Sequence, residues 1–532
     1  MNQSAASATG NVLDPATLPN ARKFLIFGVL AFGMFLALID IQIVAASLND
    51  VQAGLSAGPD EVSWVQTAYL MAELVMIPFS AFLAQAMSTR WLFAASAGLF
   101  TLTSVLCGFA WSIESMTVFR ALQGFTGGAM IPTTFAVGFV LFTGKQRAMI
   151  PAILGMTSVL APTLGPTVGG LITEYINWRW IFFINVVPGI AVTLLAISLL
   201  KRLDHADPTM FRRIDWMHLI AMAFFLGGLE YVLEEGPRVD WLGDHAIAIA
   251  AWLSFVAFVL FLERSLFSAN PIVNLSPFRR PNFVFACLFS LVIGFGMYAS
   301  IYLIPVYLGR IRGYNSLQIG ETVFVVGLAQ IISTIIAARL SETIDRRYVM
   351  AAGLPLFALS LWLNAAATPE WGFAELLVPQ LVRGLALMLC IVPSVGMALT
   401  GFEGVELRYA SGIFNLTRNL GGAIGIAVVN TWLGDNTRIA MARFGESLGR
   451  SPQVLNEAIA GITQRLLAVT PDPSQALVEA QGILGRAVAH QAFTLAFNDV
   501  FLVMAGMFLA ALLMVPFARS ADATAPVPLD AH

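Results

Sequence analysis

Long apolar runs recur along this chain, separated by short polar connections. A run of about 20 apolar residues crosses the ~30 Å hydrocarbon layer of a bilayer as an α-helix. The pattern predicts fourteen such helices, at residues 23–47, 62–86, 91–111, 115–143, 148–173, 179–200, 215–235, 244–264, 282–308, 317–340, 348–367, 372–400, 405–434 and 493–518. The expected fold class is therefore an all-α integral membrane protein. One sizeable polar segment, about 435–491, interrupts the series. Within it ARFGESLGRSPQVLNEAIAGITQRLLA mixes apolar and charged residues at roughly helical spacing, and PDPSQ breaks it before a second helical stretch.

Orientation follows from the basic residues, which concentrate on short cytoplasmic connections. With the N-terminus inside, Arg22 and Lys23, Lys145 and Arg147, Lys201 and Arg202, Arg212 and Arg213, Arg279 and Arg280, and Arg519 all fall inside. The short outer connections then hold Arg179, Arg238, Arg310 and Arg312. Both termini are expected to be cytoplasmic and segment 435–491 external. The first apolar run is too long for a cleavable leader and follows a polar tail, residues 1–22.

An internal repeat lies beneath the spans. Ser80 to Phe100 aligns without a gap on Ala337 to Phe357 at an offset of 257, and an offset of 260 places Gly124 on Gly384. Two parallel six-helix halves flanking a central helix pair explain both offsets. The expected division is a tail 1–22, an N-terminal bundle 23–200, two additional helices with linkers 201–280, a C-terminal bundle 281–518, and a tail 519–532.

Composition narrows the function. The 532 residues are 58% hydrophobic and 11% charged, where a soluble domain carries about 25% charged residues. A net charge of −3 without basic blocks gives no ground for a nucleic-acid partner. Cys107, Cys287 and Cys390 sit inside apolar runs, which excludes a disulfide framework and a CxxC metal site. His205, His218, His245, His490 and His532 stand singly, so no metal pair is expected. GFVLFTGKQ lacks the spacing and the hydroxyl of a phosphate loop, and no activated nucleophile stands out. Neither an enzyme, nor a cofactor, nor ATP as energy source is expected.

Against that background the intramembrane charges carry the candidate chemistry. A carboxylate at a bilayer's centre costs roughly 2.5–3.5 kcal/mol and usually marks an ion pathway or proton relay. Asp40 lies about 15 Å from the outer end of the first span, Glu73 about 18 Å and Arg120 about 9 Å from the outer ends of theirs. All three fall in the outer half of the N-terminal bundle. Desolvation favours a protonated acid and a nearby arginine an ionised one. A change in water access or distance between two transporter states therefore binds and releases a proton, with protons as the coupling ion. A permanent strut between Asp40 and Arg120 is the competing reading. In the C-terminal half Arg383 stands beside Gln380, while Asn415, Arg418 and Asn419 share one helical face. These residues serve either as interhelical glue or as a substrate-facing patch, with Gln42, Trp64, Tyr69, Gln123, Tyr298 and Tyr302 as further candidate cavity residues. The three intramembrane arginines point to acidic, lipophilic cargo. In the fifth span Ala161, Gly165 and Gly169 recur every fourth residue and admit a close neighbour. Pro162 and Pro166 remove backbone donors beside them, and Gly170 follows. Tight packing and a rocking hinge both account for this stripe.

Several stretches together resemble one family. LIDIQIVAASL (38–48), VFRALQGFTGGAMIP (118–132), APTLGPTVGG (161–170), WRWIFFINVVPG (178–189) and SGIFNLTRNLGGAIG (411–425) are similar, in order and spacing, to the major facilitator superfamily. The likeness is to its fourteen-span drug:proton antiporter branch of EmrB/QacA type. It implies the major facilitator fold and proton-coupled export of lipophilic drugs or toxic small molecules across a bacterial inner membrane. It also implies a place as the permease of a tripartite system with an outer-membrane channel beyond; segment 435–491 is then either a solvated flap or the docking surface of a periplasmic adaptor protein. An uptake symporter or facilitator of the same fold, and a membrane sensor that moves nothing, are the alternatives. The resemblance departs at the loop after the second span, where Ala81, Gln85 and Ser88 stand in place of a glycine, an aspartate and a second glycine, leaving Arg90. The repeat copy keeps Glu342, Asp345, Arg346 and Arg347, so inner-gate ion pairing is expected there.

Overall fold

The computed structural model describes residues 18–147, 149–200, 204–268, 270–450, 452–468 and 472–518. Lys201, Arg202, Arg519, most of the N-terminal tail, the C-terminal tail and the side chains of Lys145 and Pro162 lie outside the described residues. The spans are α1 (Asn20–Ala46), α2 (Trp64–Met87), α3 (Thr89–Gly108), α4 (Ile113–Leu141, with a turn at Gly128), α5 (Met149–Tyr175), α6 (Trp180–Leu199), α7 (Trp216–Glu235) and α8 (His245–Phe267). There follow α9 (Pro281–Tyr307), α10 (Ser316–Thr343), α11 (Arg346–Asn364), α12 (Phe373–Leu399), α13 (Gly404–Gly449), a short α14 (Pro452–Leu466) and α15 (Pro473–Leu512). Each of the fourteen expected spans is a helix. Thirteen are long and apolar enough to cross a bilayer by length and composition. The fourteenth, α11, falls short because Arg346 and Arg347 occupy its first turn.

Polar residues at the chain's turns start these helices by taking up orphan backbone donors. Asp215 accepts from the His218 amide at 3.0 Å, Asp244 from Ala246 at 2.8 Å, and Asn315 from Gln318 at 2.9 Å.

Glycines set the closest helix approaches, and they do so twice. A Cβ on Gly124 of α4 would stand 2.2 Å from the Tyr69 carbonyl oxygen on α2, and one on Gly384 of α12 would stand 2.5 Å from that of Val326 on α10. Gly165 and Gly169 seat α5 on α1 at Gln42 and Ile43, while Gly421 and Gly425 seat α13 on α9 at Leu291 and Phe295. Backbones this close gain dispersion contact that larger side chains would forbid.

The two halves meet along two seams. One joins α5 to α10, where Gly320 abuts Thr167 and Gly327 abuts Thr163. The other joins α13 to α2 and α4, and α7 packs on both α2 and α13. The small-residue stripe of α5 thus faces α1 of its own half, and the threonines on another face of α5 form the seam. The helix is continuous through positions 162 and 166.

Segment 435–491 is largely helical in its described part. α13 runs for 46 residues and α15 for 40, about 69 and 60 Å at 1.5 Å per residue, twice what the hydrocarbon layer requires. Both helices therefore extend past a membrane boundary, with α14 packed against α15.

Candidate functional site

Asp40 is fully buried on α1 and its carboxylate is enclosed by donors. Arg120 Nη1 donates to Oδ2 at 2.6 Å, Asn185 Nδ2 to Oδ1 at 2.7 Å, and Gln123 Nε2 to Oδ1 at 3.2 Å. Arg120 also donates to Gln123 Oε1 at 2.8 Å and, through Nε, to the Val65 carbonyl at 3.1 Å. Its guanidinium lies 4.2 Å from the centre of the Tyr69 ring, which supports the cation from the apolar side. Tyr69 in turn donates to the Ala37 carbonyl on α1 at 3.3 Å. Arg120 and Gln123 are three apart on α4, so one turn of helix aims both at the same acid. Neither charge touches solvent, and Arg120 Nη2 has no acceptor among the described residues.

Four of the expected residues, Asp40, Tyr69, Arg120 and Gln123, are thereby brought into one cluster. Asn185 and Ser104 complete it and were not singled out in the sequence. Asn185 lies in a turn inside the sixth apolar run, and its amide bridges Asp40 and the Ser104 hydroxyl, the latter at 3.1 Å. A neutral asparagine in a span is a weaker signal than a charge. Its place within WRWIFFINVVPG is the signal that was available.

Glu73, on α2, lies outside this hydrogen-bond network. It is 3% exposed and its Oε1 has no partner among the described residues. A second carboxyl, Glu230 on α7, is equally buried with Oε2 unpartnered. Arg418 on α13 donates to Asn415 at 2.7 Å and lies 5.4 Å from the Phe135 ring centre, and Asn415 donates to the Ser411 carbonyl at 2.9 Å. Asn419 is half-buried on the same helix. Among the other expected cavity residues, Trp64 stacks on Tyr231, Tyr302 donates to Asn430 at 3.1 Å, Tyr298 packs on Gly422, and Gln42 packs on Gly165. Arg383 is buried on α12, apart from the Asp40 cluster.

At the expected inner end, Asp345 caps α11 and pairs with Arg347 two residues away at 2.8 Å, so that contact is local. Arg347 also donates to the Ala518 carbonyl, and Arg346 to the Gly396 carbonyl and Thr400 hydroxyl on α12. Glu342 is exposed. Arg90 donates to the Ile197 carbonyl on α6. Asp204 forms an ion pair with Arg408 of α13 at 2.6 Å, tying the linker after α6 to the C-terminal half. Asp204, in the linker after α6, also accepts from the Thr89 backbone amide and hydroxyl at the start of α3. It supplies a carboxylate at the same loop where Gln85 stands in place of one. Beside the pair, the Ser411 hydroxyl donates to the Pro132 carbonyl across the seam at 2.8 Å.

A helical membrane protein of two repeat-related bundles, with a sealed charge cluster in one of them, has the architecture of a transporter. A family profile described as the Major Facilitator Superfamily matches residues 30–426, and the chain belongs to that superfamily, whose members are transporters and not enzymes. It is 37% identical over 498 residues to the Colistin resistance protein EmrB of Acinetobacter baumannii, covering 93% of this chain and 96% of that one. It is 27% identical over 506 residues to the Multidrug export protein EmrB of Escherichia coli K12, covering 94% and 96%. Among solved structures, the human organic anion transporter MFSD10 shares the fold, with a TM-score of 0.57 at 13% identity over 94% of this chain and 100% of that chain.

Proposed function

We propose that this transporter exports lipophilic toxic compounds across a bacterial inner membrane in exchange for protons, both termini cytoplasmic. Names of relatives built around multidrug export and colistin resistance support the direction and the class of cargo. The observation that carries the coupling is the sealed Asp40–Arg120 pair. Separating such a pair without neutralising either member costs about 3–5 kcal/mol. One proton entering supplies ~2.3 kcal/mol per 100 mV and ~1.4 kcal/mol per pH unit. Proton uptake by Asp40 therefore replaces the ion pair with a neutral acid that keeps its hydrogen bonds from Asn185 and Gln123. Every partner of Asp40 belongs to the same half, so rocking of rigid halves leaves these distances unchanged. Water reaching the cluster is then the variable that rocking controls.

The extramembrane parts of α13, α14 and α15 present exposed Ile439, Leu477, Val478 and Ile483. Apolar side chains on helices outside the bilayer suit a helical partner, which supports docking of a periplasmic adaptor that continues to an outer-membrane channel.

Transport in vesicles with an imposed pH gradient tests the coupling. The wild type moves an environment-sensitive lipophilic dye against its gradient. Asp40→Asn abolishes gradient-driven movement and retains dye exchange at equal concentrations. Unchanged gradient-driven export in Asp40→Asn removes the acid from the mechanism. Gradient-driven accumulation in the opposite sense would instead establish the uptake reading, and absence of flux the sensor reading.

A further inference from the structure

The offset of 260 that sets Gly124 on Gly384 also sets Arg120 on Gln380 and Gln123 on Arg383. Because both glycines meet a carbonyl of the neighbouring helix in the same way, the two sites occupy equivalent places in their halves. The C-terminal copy thus carries an arginine and an amide in exchanged order, three residues apart on one face of α12. The acid is not repeated. Offsets of 257 to 260 carry Asp40 to Met297, Tyr298, Ala299 and Ser300, none of which bears a carboxyl group.

Arg383 is consequently a buried cation without a counter-ion among the described residues. It is 2% exposed, enters no ion pair among the described residues, and neither Nη1 nor Nη2 finds an acceptor. Gln380, one turn away, is fully buried with both amide atoms unpartnered. Gln330 of α10 is in the same condition. It shares a helical face with Val326, Ala329 and Ser333, and that face lies against α12, with the Ser333 hydroxyl donating to the Leu385 carbonyl. Buried polar groups in folded proteins are ordinarily satisfied, and an arginine cannot shed its proton. Three neighbouring exceptions on one helix interface mark a place where something else supplies the acceptor.

We propose that Arg383, flanked by Gln380 and Gln330, receives the anionic head group of an amphipathic ligand, a carboxylate in particular. The planar guanidinium presents two parallel N–H donors that match the two oxygens of a carboxylate. The amides add donors at its edge, and buried Leu387 and Met388 further along α12 offer apolar contact to a hydrocarbon tail. The proposal deepens the export reading, because it takes this ligand for cargo. Its test is equilibrium binding without any gradient, so a failure of coupled export leaves it standing.

The full chain in phosphatidylcholine nanodiscs is titrated at pH 8 with dodecanoate, dodecanol and dodecyltrimethylammonium. The wild type is expected to prefer dodecanoate over dodecanol by roughly tenfold or more. Arg383→Gln loses that preference, and Arg383→Lys keeps part of it. Ligand-free Arg383→Gln melts no lower than the wild type, because an uncompensated charge has left the interior, which shows that lost binding is not lost folding. Equal binding of acid and alcohol by the wild type, or a preference that survives in Arg383→Gln, overturns the proposal. In nanodiscs containing phosphatidylglycerol the preference persists. Its disappearance there would give the arginine to lipid phosphate and overturn the assignment to cargo.

Discussion

Replacing Asp40 by leucine removes the acceptor for three donors at once, from Arg120, Asn185 and Gln123. Asn185 keeps the Ser104 hydroxyl, and Arg120 keeps Gln123 Oε1 and the Val65 carbonyl, but the guanidinium is left charged in a site that water does not reach. Breaking one side of a buried pair in this way costs about 3–5 kcal/mol. Adding Arg120→Met removes the stranded charge and leaves chiefly the Gln123 amide unsatisfied, about 1–3 kcal/mol. The double variant is therefore expected to be more stable than Asp40→Leu alone, while Arg120→Met by itself destabilises, a combination that independent sites cannot give. The measurement is reversible unfolding of the purified protein in mixed micelles by titrated denaturing detergent, with Asp40→Leu, Arg120→Met alone, the double variant and the wild type side by side. A cost below about 1 kcal/mol for Asp40→Leu, of the size seen for exposed pairs, or a double variant no more stable than the single, refutes the reasoning that this pair is sealed and mutually dependent.

Three further outcomes follow from other parts of the fold. Ser88, buried between α2 and α3, has φ 72° and ψ 153°, a region that glycine alone adopts without strain, so Ser88→Gly is expected to stabilise by about 1–3 kcal/mol in the same unfolding assay. Asp204→Asn and Arg408→Ala should each speed labelling of a cysteine placed at Ser411 by a water-soluble maleimide. Combining them should add little further, because both remove one contact across one seam. Deleting residues 440–485 should leave dye transport in vesicles intact while intact cells lose resistance, and equal loss in both assays would assign the projection to folding rather than docking.

How far the chain could be read in advance depended on how costly each feature is to place at random. Helix number and location were legible because the bilayer demands about 20 apolar residues per crossing and forces every backbone group to be satisfied within the segment. Asp40 and Arg120 were legible for the same reason, since an intramembrane charge is expensive enough to be conspicuous. The two halves were visible through the Gly124 and Gly384 offset. Asn185, Ser104 and Asp204 were not, because neutral polar residues in spans and acids in linkers are common, and nothing local to them marks a partner.

The sequence by itself determined a membrane chain of fourteen helices in two related halves, because composition and periodicity answer directly to the solvent. Tertiary structure alone decided which charges meet. Among the described residues it gave Arg120 an acid and left Arg383 without one, although both are arginines in equivalent spans. It placed a linker carboxylate at the loop where the expected aspartate is replaced by Gln85. It also ran α13 and α15 unbroken beyond the membrane, fusing the spans with the helical stretches expected in the polar segment. Pairing depends on distances between helices far apart along the chain, and those are set by the glycine contacts and seams of the whole bundle, which no short stretch of sequence contains.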